Sequence, residues 1–280
     1  MANTLIKAIA AVPAAAAAAC GAGMFLVGPG KYTEKAAEPF RNRYFAHRGL
    51  YSADQSVPEN SIAAFSLAVE KGYGIELDIQ LTKEGEVVIF HDDDMLRACG
   101  TEKSVSDFTL EELRAFRLFG TDQQIPLFSE VLDLVAGRVP LIVELKSQGA
   151  RNAELSLKAR DLLFAYPGTY CIESFDPRIV RWFRYNAPWV FRGQLACPQD
   201  SYKKGTPRYA TELFSRCLCN FYGRPQFIAY ELGSKPDTVK LAEAMGAFRV
   251  CWTSHNARDR RENDAVIFEH YMPETTYRSK

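Results

Sequence analysis

The stretch that decides the fold comprises residues 44–65 and reads YFAHRGLYSADQSVPENSIAAF. Its first three residues are apolar and predict a short β-strand, which the following glycine ends. After a polar loop, residues 58–61 lead into a pattern that predicts an α-helix, with Asn60-Ser61 as its N-terminal cap. The strand therefore ends in His47 and Arg48, an acid–base group beside a guanidinium that can bind phosphate.

The same alternation of strands and helices continues along the chain. Strands are predicted at residues 44–46, 75–81, 87–90, 141–145, 170–174, 190–196, 227–231, 248–252 and 265–268. Helices are predicted at residues 61–71, 110–116, 127–136, 152–165, 177–186, 208–221 and 236–245. Roughly eight strand–helix units in about 240 residues predict a closed (β/α)8 TIM barrel.

An open, doubly wound sheet is the alternative fold. Such a sheet usually carries a glycine-rich nucleotide-binding loop, and the sequence contains none. Nine predicted strands for eight barrel positions mean that one strand is wrong or lies outside the barrel. The turn at residues 82–85 is too short to contain a helix. It therefore predicts that the second and third strands are joined by a hairpin or by an extended crossing.

The composition is typical of a soluble globular protein and argues against a nucleic-acid-binding role. The chain has 280 residues, of which 47% are hydrophobic and 24% charged, and its 34 basic residues balance its 34 acidic ones. Nucleic-acid-binding proteins normally carry a basic patch, and this sequence has no basic run. The seven cysteines are odd in number and irregular in spacing. They predict free thiols in a reducing compartment.

The N-terminal segment differs from the rest of the chain. Residues 8–28 carry no charge, and such a stretch is long enough to cross a bilayer as a helix. The alanine run fits a secretory signal peptide, and Ala17–Cys20 fits a lipoprotein signal. An uncleaved anchor is the third alternative. Basic residues follow the segment at positions 31, 35, 41 and 43, whereas only Lys7 precedes it.

This basic excess, together with the unpaired cysteines, favours a membrane anchor with the folded part in the cytoplasm. Export or lipoprotein processing is the alternative localisation. Residues 4–30 are thus expected to associate with a membrane. The predicted domains are a hydrophobic segment and linker at residues 1–43 and a barrel domain at residues 44–280. No barrel element is predicted within residues 1–43.

Charged side chains gather at the ends of four predicted strands. Each strand contributes two of them: His47 and Arg48, Glu76 and Asp78, His91 and Asp92, and Glu144 and Lys146. In a TIM barrel the carboxyl ends of the strands surround one site. Residues two apart on a strand point to the same face, so Glu76 lies with Asp78 and Glu144 with Lys146. Buried charges of this kind are costly unless they are paired or bind a metal.

These residue types fit the cleavage of a phosphodiester. Three carboxylates suit one divalent cation, Mg2+ or Ca2+. The two cationic side chains suit a phosphate, and the two histidines can act as general base and general acid on either side of it. Together they predict metal-assisted hydrolysis. The predicted roles are metal binding for Glu76, Asp78 and Glu144, phosphate binding for Arg48 and Lys146, and proton transfer for His47 and His91.

These residues stand in short motifs whose order resembles that of the glycerophosphodiester phosphodiesterases. The motifs are His47-Arg48-Gly49, Pro58-Glu59-Asn60-Ser61, Glu76-Leu77-Asp78, Phe90-His91-Asp92, Glu144-Leu145-Lys146, Ser174-Phe175-Asp176 and Trp252-Thr253. The resemblance extends from Tyr44 to about Pro273. It implies a TIM barrel that hydrolyses glycerophosphodiesters to sn-glycerol 3-phosphate and an alcohol. It also implies that the two histidines are the acid–base pair and that the three carboxylates hold a divalent cation.

Three further residues are expected close to this site. Glu59 is expected to pair with Arg48 or to lie beside the metal ligands. Asp92 is expected to orient His91, and Trp252 is expected to provide an apolar wall. None of the residues singled out recognises a particular alcohol. Choline, ethanolamine and glycerol are therefore all expected to be tolerated as leaving groups.

Two departures from the family pattern lie at the predicted rim of the barrel. Residues 268–273 replace the usual Thr-Asp before Arg-Pro, and Ser254-His255 replaces Val-Asn. Both bear on substrate preference. The alternative enzyme is a lysophospholipase D that acts on lysophospholipids at a membrane, which the hydrophobic N-terminal segment favours. A membrane-tethered scaffold on an inactive barrel is the alternative from another class, but it gives no reason to retain every costly charge. For either enzyme the expected partner is a small molecule.

Overall fold

The computed structural model describes residues 14–277 and contains a closed barrel of eight parallel β-strands. The strands of the chain are β1 (Arg43–Ala46), β2 (Gly74–Leu81), β3 (Val87–Ile89), β4 (Leu141–Leu145), β5 (Tyr170–Ser174), β6 (Arg192–Ala196), β7 (Phe227–Glu231), β8 (Phe248–Ser254) and β9 (Ala265–Phe268). All except β3 form the barrel, which closes because β1 pairs in parallel with both β2 and β9. The predicted TIM barrel is confirmed, and the doubly wound sheet is wrong.

Helices surround the barrel. They are α1 (Ala14–Val27), α2 (Glu34–Ala37), α3 (Ile62–Lys71), α4 (Leu96–Cys99), α5 (Leu110–Leu113), α6 (Phe128–Val135), α7 (Asn152–Ala165), α8 (Pro177–Asn186), α9 (Arg208–Ser215), α10 (Asn220–Gly223) and α11 (Asp237–Ala244). The single helix predicted at residues 208–221 is instead two helices, α9 and α10. The chain turns between them at Cys217, whose φ of 53° lies outside the right-handed helical region.

The strand that lies outside the barrel is β3. It runs antiparallel to β2, with Ile89 opposite Ile79, so the two strands form a hairpin. β3 returns the chain to the rim of the barrel, where the Phe90 N–H donates to Asp78 O at 3.0 Å. His91 therefore reaches the rim from a hairpin and not from a third barrel strand. The cause is the short turn at residues 82–86, which leaves no room for a crossover helix.

Apolar side chains fill the amino end of the barrel. Phe45, Phe191 and Phe227 are buried there, and Phe40 packs on the first two, with ring centroids at 6.0 and 5.6 Å. Gly193 lies beside Phe227 in the β6–β7 pairing, and a Cβ atom there would lie 2.0 Å from the Phe227 ring. Only glycine therefore lets this ring fill the barrel. The inward positions nearer the carboxyl ends of the strands carry the charged side chains.

Residues 31–40 cover the amino end of the barrel. Tyr32 packs edge-on against Phe191 and Phe248, with ring centroids at 5.4 and 6.4 Å. Phe40 is only 2% exposed. These residues, which the sequence assigns to a linker, therefore belong to the folded unit.

The hydrophobic N-terminal segment is described only in part, because residues 4–13 lie outside the described residues. Within residues 14–277, no helix is both long and apolar enough to cross a membrane. The end of α1 contacts the barrel: Val27 is buried, and Phe25 stacks on Phe221 with ring centroids 5.8 Å apart. Membrane association through residues 4–30 and a cytoplasmic location stay predictions.

We expect removal of residues 1–19 to preserve the fold and removal of residues 1–43 to destabilise it. The longer deletion takes away the buried side chains of Val27 and Phe40, and loss of one buried Phe typically costs about 3–5 kcal/mol. Urea titration of both truncated chains measures their free energies of unfolding. Equal values would mean that residues 31–40 cover the barrel without stabilising it.

Candidate active site

The charged side chains predicted from the strand ends surround one cavity. This cavity has a volume of about 850 Å³ and lies at the carboxyl end of the barrel. Six of the seven predicted site residues line it: His47, Arg48, Glu76, His91, Glu144 and Lys146. The seventh, Asp78, is buried beside Glu76 and Glu144. The structure thus brings together all the residues to which the sequence assigns catalytic, phosphate-binding or metal-binding roles.

Glu76, Asp78 and Glu144 form a compact group of buried acids. One oxygen from each lies within 4.8 Å of the others, and the three residues are 2%, 1% and 7% exposed. They meet because β4 pairs with β2 so that Glu144 stands opposite Asp78. Burial and the two neighbouring acids raise the pKa of Glu76 well above its ordinary value, and burial raises the pKa of Glu144 to about 7. A donor set of carboxylate oxygens fits Mg2+ or Ca2+, and such a cation would relieve the repulsion between the acids.

Lys146 and Arg48 border these acids and also line the cavity. Lys146 Nζ lies 3.0 Å from Asp78 Oδ1 and 2.8 Å from Glu144 Oε1. The Arg48 backbone N–H donates to Glu76 Oε2 at 2.9 Å, and Arg48 Nε lies 3.8 Å from Asp78 Oδ2. Burial alone would raise the pKa of Asp78, but the nearby cations, Lys146 above all, hold it well below its usual range. Asp78 therefore stays ionised between the two cations.

His47 is held by a carboxylate from the end of β9. Its Nδ1–H donates to Glu269 Oε2 at 2.7 Å, and the Tyr51 hydroxyl donates to the same oxygen at 3.0 Å. Burial alone would raise the pKa of Glu269, but the bond from His47 and then that from Tyr51 lower it to about 2. Nε2 of His47 lies on the side of the acids, 3.9 Å from Glu76 Oε2. Burial and the adjacent Arg48 lower the pKa of His47, so the imidazole is neutral at pH 7.

His91, which lines the same cavity, is held in the same way. Its Nδ1–H donates to Asp92 Oδ1 at 2.6 Å, which is the contact expected for Asp92. Burial and the ammonium group of Lys146 lower the pKa of His91 to about 4. Both imidazoles are therefore neutral at pH 7, and in each the carboxylate on Nδ1 fixes the tautomer that leaves Nε2 as the proton acceptor.

A chain of ion pairs connects Arg48 to His91. Glu59 Oε1 accepts from Arg48 Nη1 at 2.7 Å. Glu59 therefore pairs with Arg48, which is one of the two arrangements expected for it. Arg97 Nη2 donates to the same Glu59 oxygen at 2.6 Å, and Arg97 Nε donates to Asp92 Oδ2 at 2.7 Å. Because Asp92 in turn holds His91, the network connects Arg48 with His91.

The sequence predicts that Asn60 helps to cap helix α3, but in the structure its side chain reaches into the site instead. Ser61 alone is the cap, since its hydroxyl accepts from the Ala64 N–H at 3.1 Å. Asn60 Nδ2 donates to Asp78 Oδ2 at 2.8 Å and so orients one of the three acids. Its φ of 54° is a left-handed conformation that asparagine tolerates better than most residues.

The far wall of the cavity is formed by β7 and β8. Trp252 lies on this wall, as expected: its indole N–H donates to Ala196 O and Ala229 O, both at 3.2 Å. Its ring packs edge-on against Phe175, with centroids 5.9 Å apart. In the closed barrel, β7 stands across from β2 and β8 across from β4. The far wall therefore faces the acids.

Sequence reasoning missed the site roles of Asn60, Arg97 and Glu269. Arg97 lies in a four-residue helix, and no local pattern distinguishes it from other surface arginines. A signal for Glu269 was available: the last strand of a closed barrel must pair with the first, which places the residue after β9 beside His47. The backbone N–H of His47 indeed donates to the backbone oxygen of Phe268 at 3.0 Å.

Known proteins share both sequence and fold with this chain. A glycerophosphodiester phosphodiesterase of Caldanaerobacter subterraneus subsp. tengcongensis is 44% identical over 110 residues, which cover 36% of this chain and 44% of that protein. Lysophospholipase D GDPD1 of Homo sapiens is 31% identical over 146 residues, which cover 48% of this chain and 44% of that protein. The chain thus spans about half the length of the curated relatives it matches.

A solved structure of an Oleispira antarctica phosphodiesterase in complex with the product sn-glycerol-3-phosphate has a similar fold. It covers 83% of this chain and 94% of its own, with a TM-score of 0.66 and 21% sequence identity. The model of the glycerophosphoryl diester phosphodiesterase family matches residues 47–271, which is most of the chain and contains every charged residue of the site. The chain therefore belongs to the glycerophosphoryl diester phosphodiesterase family.

Proposed function

We propose that the protein hydrolyses glycerophosphodiesters to sn-glycerol 3-phosphate and an alcohol with the help of one divalent cation. One observation carries the proposal: two neutral imidazoles, each held at Nδ1 by a carboxylate, border the same cavity as a group of three acids. Membership of the family and the activity named for its relatives support it.

In this proposal Glu76, Asp78 and Glu144 hold the cation, Mg2+ or Ca2+. When bound, the cation draws negative charge away from the non-bridging phosphate oxygens. Arg48 and Lys146 bind the same phosphate. Since carboxylates already hold both cationic side chains in place, little of their conformational freedom is left to lose when the substrate binds.

His47 and His91 transfer the protons through their Nε2 atoms. One imidazole takes a proton from the attacking oxygen, and the other, once protonated, gives a proton to the oxygen of the leaving alcohol. The attacking oxygen belongs either to water or to the glycerol hydroxyl next to the phosphate. In the second route a cyclic phosphate forms first, and water then opens it. Glu269 and Asp92 stabilise the imidazolium formed on each side.

A coupled assay for the release of sn-glycerol 3-phosphate tests the proposed function. The purified chain is expected to release it from glycerophosphocholine, and a chelator is expected to stop the reaction. Absence of release from glycerophosphocholine, glycerophosphoethanolamine and glycerophosphoglycerol, each with Mg2+ and with Ca2+, would refute the proposal.

Lysophospholipase D activity is the second candidate, and the apolar part of the cavity lining favours it. Besides the charged residues, Phe175, Leu195, Phe214 and Trp252 line the cavity and offer apolar surface to an acyl chain. Lysophospholipase D GDPD1 is also among the relatives of the chain. The two candidates share the chemistry at phosphorus and differ only in whether an acyl chain is bound.

We expect glycerophosphocholine to be a better substrate than lysophosphatidylcholine. The contacts proposed for Arg48, Lys146 and the acids all address the phosphate, and none requires an acyl chain. Values of kcat/KM for the two substrates decide between the candidates. A preference of ~10²-fold for the acylated substrate, about 2.7 kcal/mol of transition-state binding, would make lysophospholipase D the function. Phe214→Ala should then reduce the preference for lysophosphatidylcholine, because it removes a contact with the acyl chain.

A further inference from the structure

The far wall of the cavity carries a carboxylate that forms no ion pair with any residue that the structure describes. Glu231 is the last residue of β7 and lines the cavity. Its Oε2 is buried and has no hydrogen-bond partner among the residues that the structure describes. Two cations of the cavity that lie outside the phosphate site are paired with other acids, Lys203 with Asp93 and Arg178 with Asp176. A buried carboxylate oxygen is unfavourable unless a ligand or water supplies its partner.

A second carboxyl oxygen on the cavity wall also lacks a partner. Glu173 is 1% exposed, and its Oε2 accepts no hydrogen bond within residues 14–277. It lies on β5, lines the same cavity and is opposite Glu144 in the β4–β5 pairing. Buried polar atoms without partners are rare in native proteins and mark places where a ligand or water is expected.

Glu231 shares the cavity wall with three aromatic residues. In the β7–β8 pairing its neighbour is Trp252, whose ring is fixed by the two hydrogen bonds of its indole N–H. Phe175 packs edge-on against Trp252, and Tyr202 packs edge-on against Phe175, with centroids 6.2 Å apart. All three aromatic residues line the cavity. Aromatic faces beside a carboxylate attract an ammonium group, including a quaternary one.

The far wall lies where one substituent of the bound phosphate could reach it. β7 and β8 stand across the barrel from β2 and β4, which carry the three acids. A phosphate bound at the acids can therefore direct one of its two substituents across the cavity to the far wall. A substituent that carries a positive charge near its end would supply the missing partner of Glu231.

We propose that Glu231, together with Trp252, Phe175 and Tyr202, binds the cationic end of the leaving alcohol. The substrate class is then a glycerophosphodiester of an amino alcohol, with an ammonium or trimethylammonium group two carbons from the ester oxygen. This inference rests on the proposed phosphodiesterase function and narrows it. It also replaces the expectation that neutral and cationic alcohols are tolerated alike.

The test compares Glu231→Gln with the wild type on substrates that differ only in the alcohol. Glycerophosphoethanolamine and glycerophosphocholine carry a primary and a quaternary ammonium, and glycerophosphoglycerol carries neither. We expect the variant to lose about tenfold in kcat/KM on the cationic substrates and to stay within about twofold on glycerophosphoglycerol. A loss on glycerophosphocholine alone would assign the site to a quaternary ammonium, and a loss on glycerophosphoethanolamine alone to a primary one.

Asp93→Asn is the matched control, because it removes one negative charge from the same cavity where Lys203 already neutralises it. It should leave the substrate preference unchanged. An equal loss on all three substrates in Glu231→Gln would overturn the proposal, since Glu231 would then contact the shared glycerol phosphate. An unchanged preference would overturn it as well.

Two further results separate this inference from a folding defect and from the proposed function. Glu231→Gln is isosteric and removes an unpaired carboxylate, so its Tm should not fall below that of the wild type. A lower Tm together with a general loss of activity would assign Glu231 a structural role. If the wild type hydrolyses none of the three substrates, the proposed function fails, and this inference fails with it. If the wild type is active without preferring cationic alcohols, only this inference fails.

Discussion

Chelation of divalent cations is expected to abolish turnover, and added Mg2+ or Ca2+ is expected to restore it. Glu76, Asp78 and Glu144 lie within 4.8 Å of one another and are almost completely buried, so their charges repel strongly when no cation is bound. Lys146 contacts only two of the three acids, and the hydrogen bond that Glu76 accepts comes from the uncharged backbone N–H of Arg48. Release of sn-glycerol 3-phosphate before and after chelation, and after back-titration with each metal, measures the effect.

Cation binding should also be visible without substrate. A metal that is present at a free concentration of about 100 times its Kd stabilises the folded chain by about 2.7 kcal/mol. Thermal unfolding can detect a change of this size. Glu144→Gln removes one of the three charges and should reduce this stabilisation. Turnover that is indifferent to chelator, or that Zn2+ alone restores, would contradict a site of carboxylate oxygens selective for Mg2+ or Ca2+.

Replacement of either histidine of the site is expected to lower kcat by ~10²-fold or more. His47→Ala and His91→Ala each remove one Nε2 atom that transfers a proton, while the carboxylates that hold the rings remain in place. Because the two histidines act in one reaction, the double variant should lose much less than the product of the two single losses. Steady-state kinetics on glycerophosphocholine measure all three variants.

His255→Ala provides the control for removing an imidazole near the same site. His255 is exposed, and its Nε2 lies 3.4 Å from the Glu269 oxygen that His47 does not use. Its replacement should change kcat by no more than a few fold. Near-normal turnover in His91→Ala would remove His91 from the proposed proton transfers and would leave His47 to act with water.

The barrel and the charged centre of the site could be predicted because both follow from local patterns. Strand β4 and helices α7 and α8 coincide with the predicted segments. The start of α8 is marked by Asp176, whose side chain caps the helix, and by the proline that follows it. The acids at residues 76, 78 and 144 alternate with leucines inside strands, and that alternation alone places them on one face. Neighbouring parallel strands then bring the faces together.

The remaining features depend on contacts between distant segments. No local pattern shows that Arg97, in a four-residue helix, reaches Glu59 across 38 positions of the chain. Nothing in the sequence of residues 31–40 indicates that Tyr32 and Phe40 pack against the amino end of the barrel, because an aromatic residue between polar ones also fits a linker. The sequence also does not predict that Glu231 Oε2 lacks a partner, because this depends on where the fold places the cationic side chains.

The closure of the barrel has a consequence for synthesis on the ribosome. β1 needs β9 as a neighbour, and Tyr44 packs edge-on against Tyr277 with ring centroids 5.1 Å apart, so the first strand is completed by segments that lie far from it in the sequence. At ~5–20 residues per second, β9 is made roughly 10–45 s after β1. During that interval the nascent chain holds Phe40 and Phe45 without their later aromatic partners. His47 meanwhile lacks Glu269, so the active centre can be completed only after β9 and the residue that follows it have been made.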